Sequence, residues 1–244
     1  MSYKKIKKDP FSDELEEGEE KDICEKINNY DWFYSIEVSN GIFTKGSDDN
    51  RDFTLKQFGL IDFKGKTVLD VCCSDGFYSF ESEKRKARKV ISIDKKIPKG
   101  LTEFLIPHFK SKIETKEISL FKFKPNEQFD IVTFVGALCE VRYPLLALNK
   151  IKKWVKPNGY VIIETAMFLD DNKKAILHCP NAEQNPYKNT FQNTFFNHKG
   201  LIDNMAMLGF ELINIHPDNR NIIRTEKNRE VCRDSFLFKK KNEN

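Results

Sequence analysis

Two short apolar segments that end in aspartate carry the residues best suited to chemistry. Asp70 lies near the end of the first segment, and Asp94 ends the second. The loop after the first segment, Cys72–Gly76, consists mainly of small residues, which allow a ligand to approach the backbone. The helix that opens within 74–80 would offer its free backbone N–H groups to the same ligand. The pattern therefore predicts a ligand site where two strands end.

The distance along the chain between this loop and the second aspartate indicates the class of ligand. Asp94 follows Gly76 by eighteen residues, a position from which a carboxylate can accept hydrogen bonds from both ribose hydroxyls of an adenosine-type cofactor. A dinucleotide would favour G-x-G-x-x-G around its pyrophosphate, but Gly76 is the only glycine of the loop. S-adenosylmethionine has no phosphate and carries positive groups, which suit an acid at Asp70. The residues favour a methyl-donor site, with a dinucleotide site or helix capping by the two aspartates as alternatives.

Alternating apolar runs and amphipathic or charged segments follow from Lys66 onward. The apolar runs predict seven strands, at 67–71, 90–94, 117–120, 129–135, 160–165, 210–215 and 235–238. Helices are expected to begin within 74–80 and to cover 101–109, 144–155 and 199–208. This alternation predicts βαβ units with right-handed crossovers. We therefore expect an α/β fold with a Rossmann-like, doubly wound, mainly parallel sheet.

The first sixty residues differ in character and are expected to form a lid. An acidic helix capped by Ser12 is predicted within 9–25, and Asn40-Gly41 predicts the turn of a hairpin. A short helix is expected over 51–60. The expected organisation is an N-terminal segment, 1–60, followed by the main domain, 61–240.

Composition narrows the class of protein. The chain has 244 residues, with 41 Lys+Arg against 37 Asp+Glu and a formal net charge of +4. No apolar stretch approaches the roughly 18 residues of a membrane span, and the basic start runs into acidic residues, so neither a membrane partner nor a secretory signal is expected. Six cysteines without a C-x-x-C pair predict neither a disulfide scaffold nor a zinc site. His178 and Cys179 have no further ligands at metal spacing, so no metal is expected.

These features together predict a cytoplasmic protein with reduced thiols. Only 8 of the 41 cationic residues are arginine, and arginine is the residue that forms bidentate contacts with phosphates and base edges. The small net charge therefore permits an RNA partner without arguing for one.

Several motifs resemble those of a known family. Val68–Ser79, Ile93-Asp94 and Phe129-Asp-Ile-Val132 resemble the class I S-adenosylmethionine-dependent methyltransferases. Gly136–Leu148 and Gly159–Thr165 resemble the branch that contains the bacterial tRNA wobble-uridine carboxymethyltransferases and the related mo5U methyltransferases. The remaining matches to that branch are Trp32–Ile36, Thr44–Gly46, Asn193–Phe196, Leu208–Phe210 and Arg233.

The resemblance implies a cofactor site built from many positions. The implied cofactor-binding residues are Asp70, Cys72, Ser74, Gly76, Phe77, Asp94, Lys95, Ser119, Leu120, Gly136, Ala137, Lys45 and Arg233. Cys72 and Ser74 stand where the family usually has glycine. In the carboxymethyl-transferring members, a tyrosine, a lysine and a late arginine hold the extra carboxylate of carboxy-S-adenosylmethionine. Lys45 and Arg233 match two of these, but Cys139 replaces the tyrosine, so ordinary S-adenosylmethionine is the favoured cofactor.

The acceptor side is expected just past the fourth strand. Glu140, Arg142 and Tyr143 are the candidate catalytic residues, and Glu140, their only carboxylate, is the candidate base. Trp32 and Tyr34 could stack on a ring, although a role in the interior of the lid explains them equally well. The long polar loop 178–193 is expected to bind the acceptor, and its candidate contact residues are Tyr187, Phe191 and Asn193.

The resemblance implies methyl transfer to an oxygen or nitrogen acceptor, for which 5-hydroxyuridine at a tRNA wobble position is a candidate. Two alternatives remain open at this stage. One is a methyltransferase of a small molecule or glycan, and the other is a catalytically silent methyltransferase-like binding protein.

Overall fold

A computed structural model describes residues 17–47, 52–170, 173–181, 183, 185, 193–224 and 230–242. These residues form two compact units. The first unit combines the described residues up to 47 with the segment 98–111, and the second holds the rest. The units therefore interleave along the chain. The sequence-based division into 1–60 and 61–240 stays a prediction.

The first unit is small, and aromatic rings pack within it: the ring of Trp32 lies edge-on to those of Tyr30 and Phe104, at centroid distances of 5.7 and 6.1 Å. It contains α1 (Glu17–Ile27), β1 (Glu37–Ser39), β2 (Ile42–Phe43), a π-helix (Gly100–Leu105) and one short helical turn, α4 (Ile106–His108). Strands β1 and β2 form the hairpin that Asn40-Gly41 predicts, and Gly41 has a φ of 76° in its turn. The predicted helix cap Ser12 lies outside the described residues.

The second unit contains the predicted α/β core. Its elements are α2 (Asp52–Phe58), β3 (Thr67–Val71), α3 (Phe77–Lys84), β4 (Lys89–Asp94), β5 (Glu114–Glu117), β6 (Phe129–Val135), α5 (Pro144–Trp154), β7 (Val155–Leu169), β8 (Leu177–His178), β9 (Phe195–Phe196), α6 (His198–Met207), β10 (Phe210–Arg224) and β11 (Glu230–Lys240). Strands β3 and β6 coincide with the predicted strands because apolar runs of this kind are typical of strands buried on both faces.

The sheet confirms the predicted fold class. Its main strands follow the order β10-β11-β7-β6-β3-β4-β5, with β8 and β9 beside β7. Strands β3 to β7 pair in parallel, whereas β11 pairs antiparallel with both β7 and β10. The strand order reverses beside β3, and at such a switch point the ligand site lies outside the carboxyl ends of the strands. We call this side of the sheet the carboxyl edge, and the opposite side the amino edge.

Helix α5 shows how the sequence pattern fixes the packing against this sheet. Ala147, Leu148, Ile151 and Trp154 recur at helical spacing and are at most 5% exposed. They form one buried stripe. Pro144 occupies the first turn, where its missing N–H group leaves no hydrogen bond unmade. The helix therefore presents its opposite face to solvent.

Three elements differ from the sequence prediction. The third strand covers Glu114–Glu117 and not 117–120, because this edge strand is mostly exposed and has no buried stripe to mark its position. The 101–109 segment is a π-helix followed by a single α-helical turn. Strand β7 begins at Val155, and the predicted turn at 156–159 is an irregularity within it, with Asn158 at a φ of 59°.

Candidate functional site

The loop after β3 has an unusual backbone. Cys72, Ser74 and Gly76 all adopt positive φ angles, of 59°, 47° and 79°. Only glycine takes this left-handed conformation without strain, which costs other residues about 1–2 kcal/mol each. Cys72 and Ser74 thus adopt a left-handed backbone conformation that glycine would adopt more easily.

Hydrogen bonds to the end of β4 hold the loop in this conformation. The backbone N–H of Cys73 donates to the carbonyl of Ile93 (3.1 Å), and that of Ser74 donates to Oδ2 of Asp94 (3.0 Å). The N–H of Gly76 closes a turn onto the carbonyl of Cys73 (2.9 Å). Helix α3 begins immediately afterwards at Phe77, as expected, so its free N–H groups lie at the carboxyl edge.

Asp70 is buried inside the sheet and not on its surface. The residue is 2% exposed, and its Oδ1 and Oδ2 accept hydrogen bonds from the hydroxyls of Thr133 (2.7 Å) and Ser79 (2.5 Å). Burial raises the pKa of Asp70 to about 6, against the lowering effect of these two bonds, and the charge of Asp94 raises it further. The carboxyl group connects β3, β6 and α3, and its charge acts on the loop through space.

Asp94 has the position that the sequence predicts, at the end of β4. Its side chain is half-buried, and besides the bond from Ser74 it accepts a long bond from the N–H of Lys96 (3.4 Å). Its carboxylate oxygens retain lone pairs for further donors. Lys95 is exposed.

The segment after β5 lies beside Asp94. The N–H of Ile118 donates to the backbone carbonyl of Asp94 (2.7 Å). Ser119, half-buried, and Leu120, buried, follow in the turn beyond the strand. Both residues thus lie at the carboxyl edge.

An ion pair lies over the end of β6. The guanidinium of Arg233 donates to both carboxylate oxygens of Glu164, from Nε at 2.6 Å and from Nη2 at 3.0 Å. Glu164 is 4% exposed, and its backbone carbonyl accepts the N–H of Gly136 (3.0 Å). A Cβ added at Gly136, whose φ is 78°, would lie 3.7 Å from Arg233 and 3.8 Å from the Glu164 carboxylate. Half-buried Ala137 follows.

The three predicted catalytic residues are exposed beyond this ion pair. Glu140 ends a 3₁₀ turn, Leu138–Glu140, and Arg142 and Tyr143 precede α5. Loss of hydration raises the pKa of Glu140; Arg233 lowers it, and the charge of Glu164 raises it. Glu140 therefore lies within the electrostatic field of the ion pair. Arg142 lies over the ring of Tyr143 at 5.9 Å.

Cys72, in the loop after β3, is surrounded by negative charge. Its pKa is raised well above the ordinary value, first by burial and then by the carboxylates of Asp94, Asp70 and Glu140. Two acids at strand ends and one in the turn that follows β6 therefore act on one position. A positively charged ligand would be stabilised there, and a pyrophosphate would be repelled.

Only part of the predicted acceptor loop can be placed. Tyr187 and Phe191 lie outside the described residues. Asn193 is 2% exposed, accepts a bond from Asn185 (3.0 Å), and has no partner for its Nδ2 donor among the described residues. The N–H of Thr194 donates to the carbonyl of Cys139 (2.9 Å), which connects this loop to the turn that carries Glu140.

The remaining predicted residues belong to the first unit. Trp32 is half-buried and donates its ring N–H to the carbonyl of Ile27 (2.8 Å). Tyr34 is 4% exposed, and Lys45 is exposed. Their roles in cofactor or acceptor binding stay predictions.

The sequence did not identify Ser79 and Thr133 as the partners of Asp70, or Glu164 as the partner of Arg233. Thr133 and Glu164 are polar residues within predicted strands, and Ser79 lies within the predicted helix start, so each pairing depends on contacts between distant parts of the chain. Within the described ranges there is no group of three or more potential metal ligands. None of the described helices is both long and apolar enough to cross a membrane.

The order of the strands and the loop at the switch point define the class I methyltransferase fold. The family described as Methyltransferase domain matches residues 45–215, and the chain belongs to this family. The predicted resemblance is thereby confirmed. The tRNA U34 carboxymethyltransferase of Helicobacter pylori strain J99 is 28% identical over 158 residues, covering 62% of this chain and 60% of that protein. The chain thus spans less than two thirds of this relative.

Two solved structures share the fold at low sequence identity. The N-terminal domain of EvdMO1, solved in the presence of SAH and D-fucose, has a TM-score of 0.66 and 14% identity, covering 91% of this chain and 97% of that domain. The 4+2 cyclase SpnF has a TM-score of 0.61 and 11% identity, covering 91% and 93%. Because a cyclase shares this fold, the fold alone does not establish the reaction.

Proposed function

We propose that the protein transfers the methyl group of S-adenosylmethionine to an oxygen of 5-hydroxyuridine at the wobble position of a tRNA. The observation that carries the donor half is the placement of two acids at the loop after β3: Asp94 accepts the N–H of Ser74 at 3.0 Å, and Asp70 is buried at the end of β3. The relative named tRNA U34 carboxymethyltransferase supports the acceptor half.

The residues present fit this cofactor. Asp94 keeps acceptor capacity for the two ribose hydroxyls, and Ser119 and Leu120 lie beside it. The left-handed loop keeps side chains small next to the predicted ligand, since Cys72 and Ser74 take the place of glycines. When bound, S-adenosylmethionine supplies a methyl carbon activated by its sulfonium.

The ion pair supports ordinary S-adenosylmethionine over its carboxylated form. Two of the five N–H groups of Arg233 already bind Glu164, so one carboxylate already offsets the charge that the extra carboxylate would need. Cys139 is buried and offers a thiol in place of a phenol. A third carboxylate beside Glu164 and Glu140 would add like-charge repulsion.

Glu140 is proposed as the base. Its pKa is raised by loss of hydration, which makes its carboxylate a better proton acceptor than an ordinary glutamate. Bound S-adenosylmethionine would supply the methyl group to the acceptor oxygen and keep the bonding electrons on its sulfur, and Glu140 would take the acceptor's proton. The orphan donor of Asn193, on the loop that binds the Glu140 turn, is available to hold the acceptor.

The experiment uses S-adenosylmethionine with a deuterated methyl group and an anticodon stem-loop RNA containing 5-hydroxyuridine at the wobble position. We expect label on that nucleoside by mass spectrometry and none on the matched uridine RNA. Glu140→Gln should lower kcat by about 100-fold or more, while the exposed-site control Glu211→Gln should leave it unchanged. If label appears only on small molecules of a cell extract, the acceptor assignment is wrong and the donor assignment stands.

A further inference from the structure

A cleft of about 490 Å³ lies at the amino edge of the sheet. It is bounded by the segment 123–128, which precedes β6, and by the outer face of α5. Because β6 is parallel to its neighbours, this cleft lies at the end of the sheet opposite the loop after β3. Nothing in the methyl-transfer chemistry accounts for it.

Three lysines line the cleft without acidic partners. Lys124, Lys150 and Lys153 form no ion pair within the described part of the chain. The one acid of the lining, Glu127, is bound to Lys89 at 2.6 Å. Three like charges around one cleft repel each other unless an anion lies between them.

Lys150 and Lys153, near the C-terminal end of α5, do not cap this helix. Cations near a helix C-terminus usually serve its last carbonyl groups. Here the buried Nζ of Lys240 donates to the carbonyls of Lys152 (3.1 Å) and Val155 (2.9 Å). The side-chain amide of Gln128 donates to the carbonyl of Lys153 (3.0 Å). Neither Lys150 nor Lys153 is therefore needed to cap the helix. The Nζ of Lys150 lies over the ring of Trp154, which also lines the cleft, at 6.0 Å.

The outer face of α5 connects this cleft to the candidate acceptor side. Leu146, Asn149, Lys150 and Lys153 follow one another at helical spacing and all line the cleft. The helix has 11 residues and is therefore about 16 Å long. At its start Tyr143 is 57% exposed, with Arg142 over its ring. Exposed Leu146 separates this ring from Lys150 and Lys153, which follow further along the same face. A ring on which a base can stack and cations that can hold phosphates are the two elements of single-strand binding.

We propose that the cleft and the outer face of α5 bind the single-stranded RNA segment next to the acceptor nucleotide, with its phosphates on Lys124, Lys150 and Lys153. The proposal rests on the RNA acceptor proposed above. It places RNA recognition on a surface that extends along α5 from the carboxyl edge to the amino edge. The methyl-transfer step proposed above stays the same.

The test compares two charge-reversal variants of equal net charge. Lys150→Glu/Lys153→Glu alters the cleft, and Lys64→Glu/Lys66→Glu alters exposed lysines at the same edge outside the cleft lining. Affinity for the anticodon stem-loop RNA is measured between about 50 and 300 mM salt, the range over which phosphate contacts weaken steeply. S-adenosylhomocysteine affinity and methylation of free 5-hydroxyuridine are measured alongside.

We expect the cleft variant to lose about tenfold or more in RNA affinity and its salt slope to fall by about 1.4, since each single-strand phosphate contact contributes about 0.7. Its cofactor affinity and nucleoside methylation should stay unchanged. Equal losses in both variants, or no loss while RNA is still methylated, would overturn the cleft proposal and leave the proposed function standing. Failure of the unsubstituted protein to bind or methylate any RNA would overturn both, and capture of an acidic protein by the cleft would then identify a different partner class.

Discussion

Replacing Asp70 by asparagine should make the stability of the second unit less dependent on pH. Asp70 is 2% exposed, and burial raises its pKa from 3.8 to about 6. The folded state therefore holds this proton more tightly than the unfolded state. The contribution of Asp70 to stability is greatest below about pH 4 and is lost as the pH rises through 6. An asparagine amide has no proton to lose in this range, so the substitution removes this part of the pH dependence.

The size of the effect follows from the two pKa values. A shift of about two units corresponds to about 3 kcal/mol of lost stability above pH 7. Between pH 5 and pH 8 the loss is about 1.3 kcal/mol, because the folded carboxyl is still mostly protonated at pH 5. Changed hydrogen bonds to Ser79 and Thr133 add an offset that is nearly the same at both pH values. The difference between the two pH values therefore isolates the charge.

The assay is urea unfolding at pH 5 and pH 8, followed by the fluorescence of Trp154 in a Trp32→Phe background. Between pH 5 and pH 8, the free energy of unfolding of Asp70→Asn should rise by about 1.3 kcal/mol relative to that of the unsubstituted protein. Asp130→Asn is the control: although burial raises its pKa, bonds from Thr67 and Lys156 hold that pKa below the usual value. That carboxyl is ionised in both the folded and the unfolded state at pH 5 and at pH 8, so Asp130→Asn should change the free energy of unfolding by nearly the same amount at the two pH values. A pH-independent difference for Asp70→Asn would refute the buried-carboxyl argument.

Three further substitutions test the local geometry. Ser74→Gly should raise the free energy of unfolding by about 0.5–1 kcal/mol, because Ser74 has a φ of 47° and glycine removes that strain at a smaller entropic cost; a loss of stability in urea would contradict the strain. Arg233→Met should lower the free energy of unfolding by about 3 kcal/mol, because it leaves the buried Glu164 carboxylate unpaired. The double variant Arg233→Met/Glu164→Met should recover most of that loss in the same assay. Gly100→Ala should destabilise the first unit, since the added Cβ would lie 2.5 Å from the ring of Trp32. In thermal unfolding the loss should be smaller in a Trp32→Leu background. An equal loss with Trp32 and with Leu at that position would disprove the contact.

Local patterns predicted the parts of the fold whose residues are buried on both faces. Strands β3 and β6 and the hairpin turn at Asn40-Gly41 agree with the sequence because each is defined by neighbours in the chain. The edge strand β5 was displaced by three residues because exposed residues carry no burial pattern. The π-helix at 100–105 has no local sequence signal comparable to a hydrophobic stripe.

The site was predictable to the extent that strand ends and small residues mark it. The positions of Asp70 and Asp94 at the ends of β3 and β4 follow from the apolar runs. The hydrogen bond from Thr133 to Asp70 spans 63 positions, and the pair of Arg233 with Glu164 spans 69. Such contacts depend on strand order, so only the folded sheet shows that Asp70 is enclosed and that Arg233 already has a partner.

The most direct test of the central claim is native mass spectrometry of the purified protein with equimolar S-adenosylhomocysteine, NAD⁺ and carboxy-S-adenosylmethionine. We expect the protein to retain one S-adenosylhomocysteine per chain and Asp94→Ala to lose it, with folding checked by circular dichroism. Retention of NAD⁺, or unchanged S-adenosylhomocysteine binding by Asp94→Ala, would contradict the assignment of the loop after β3 as a methyl-donor site.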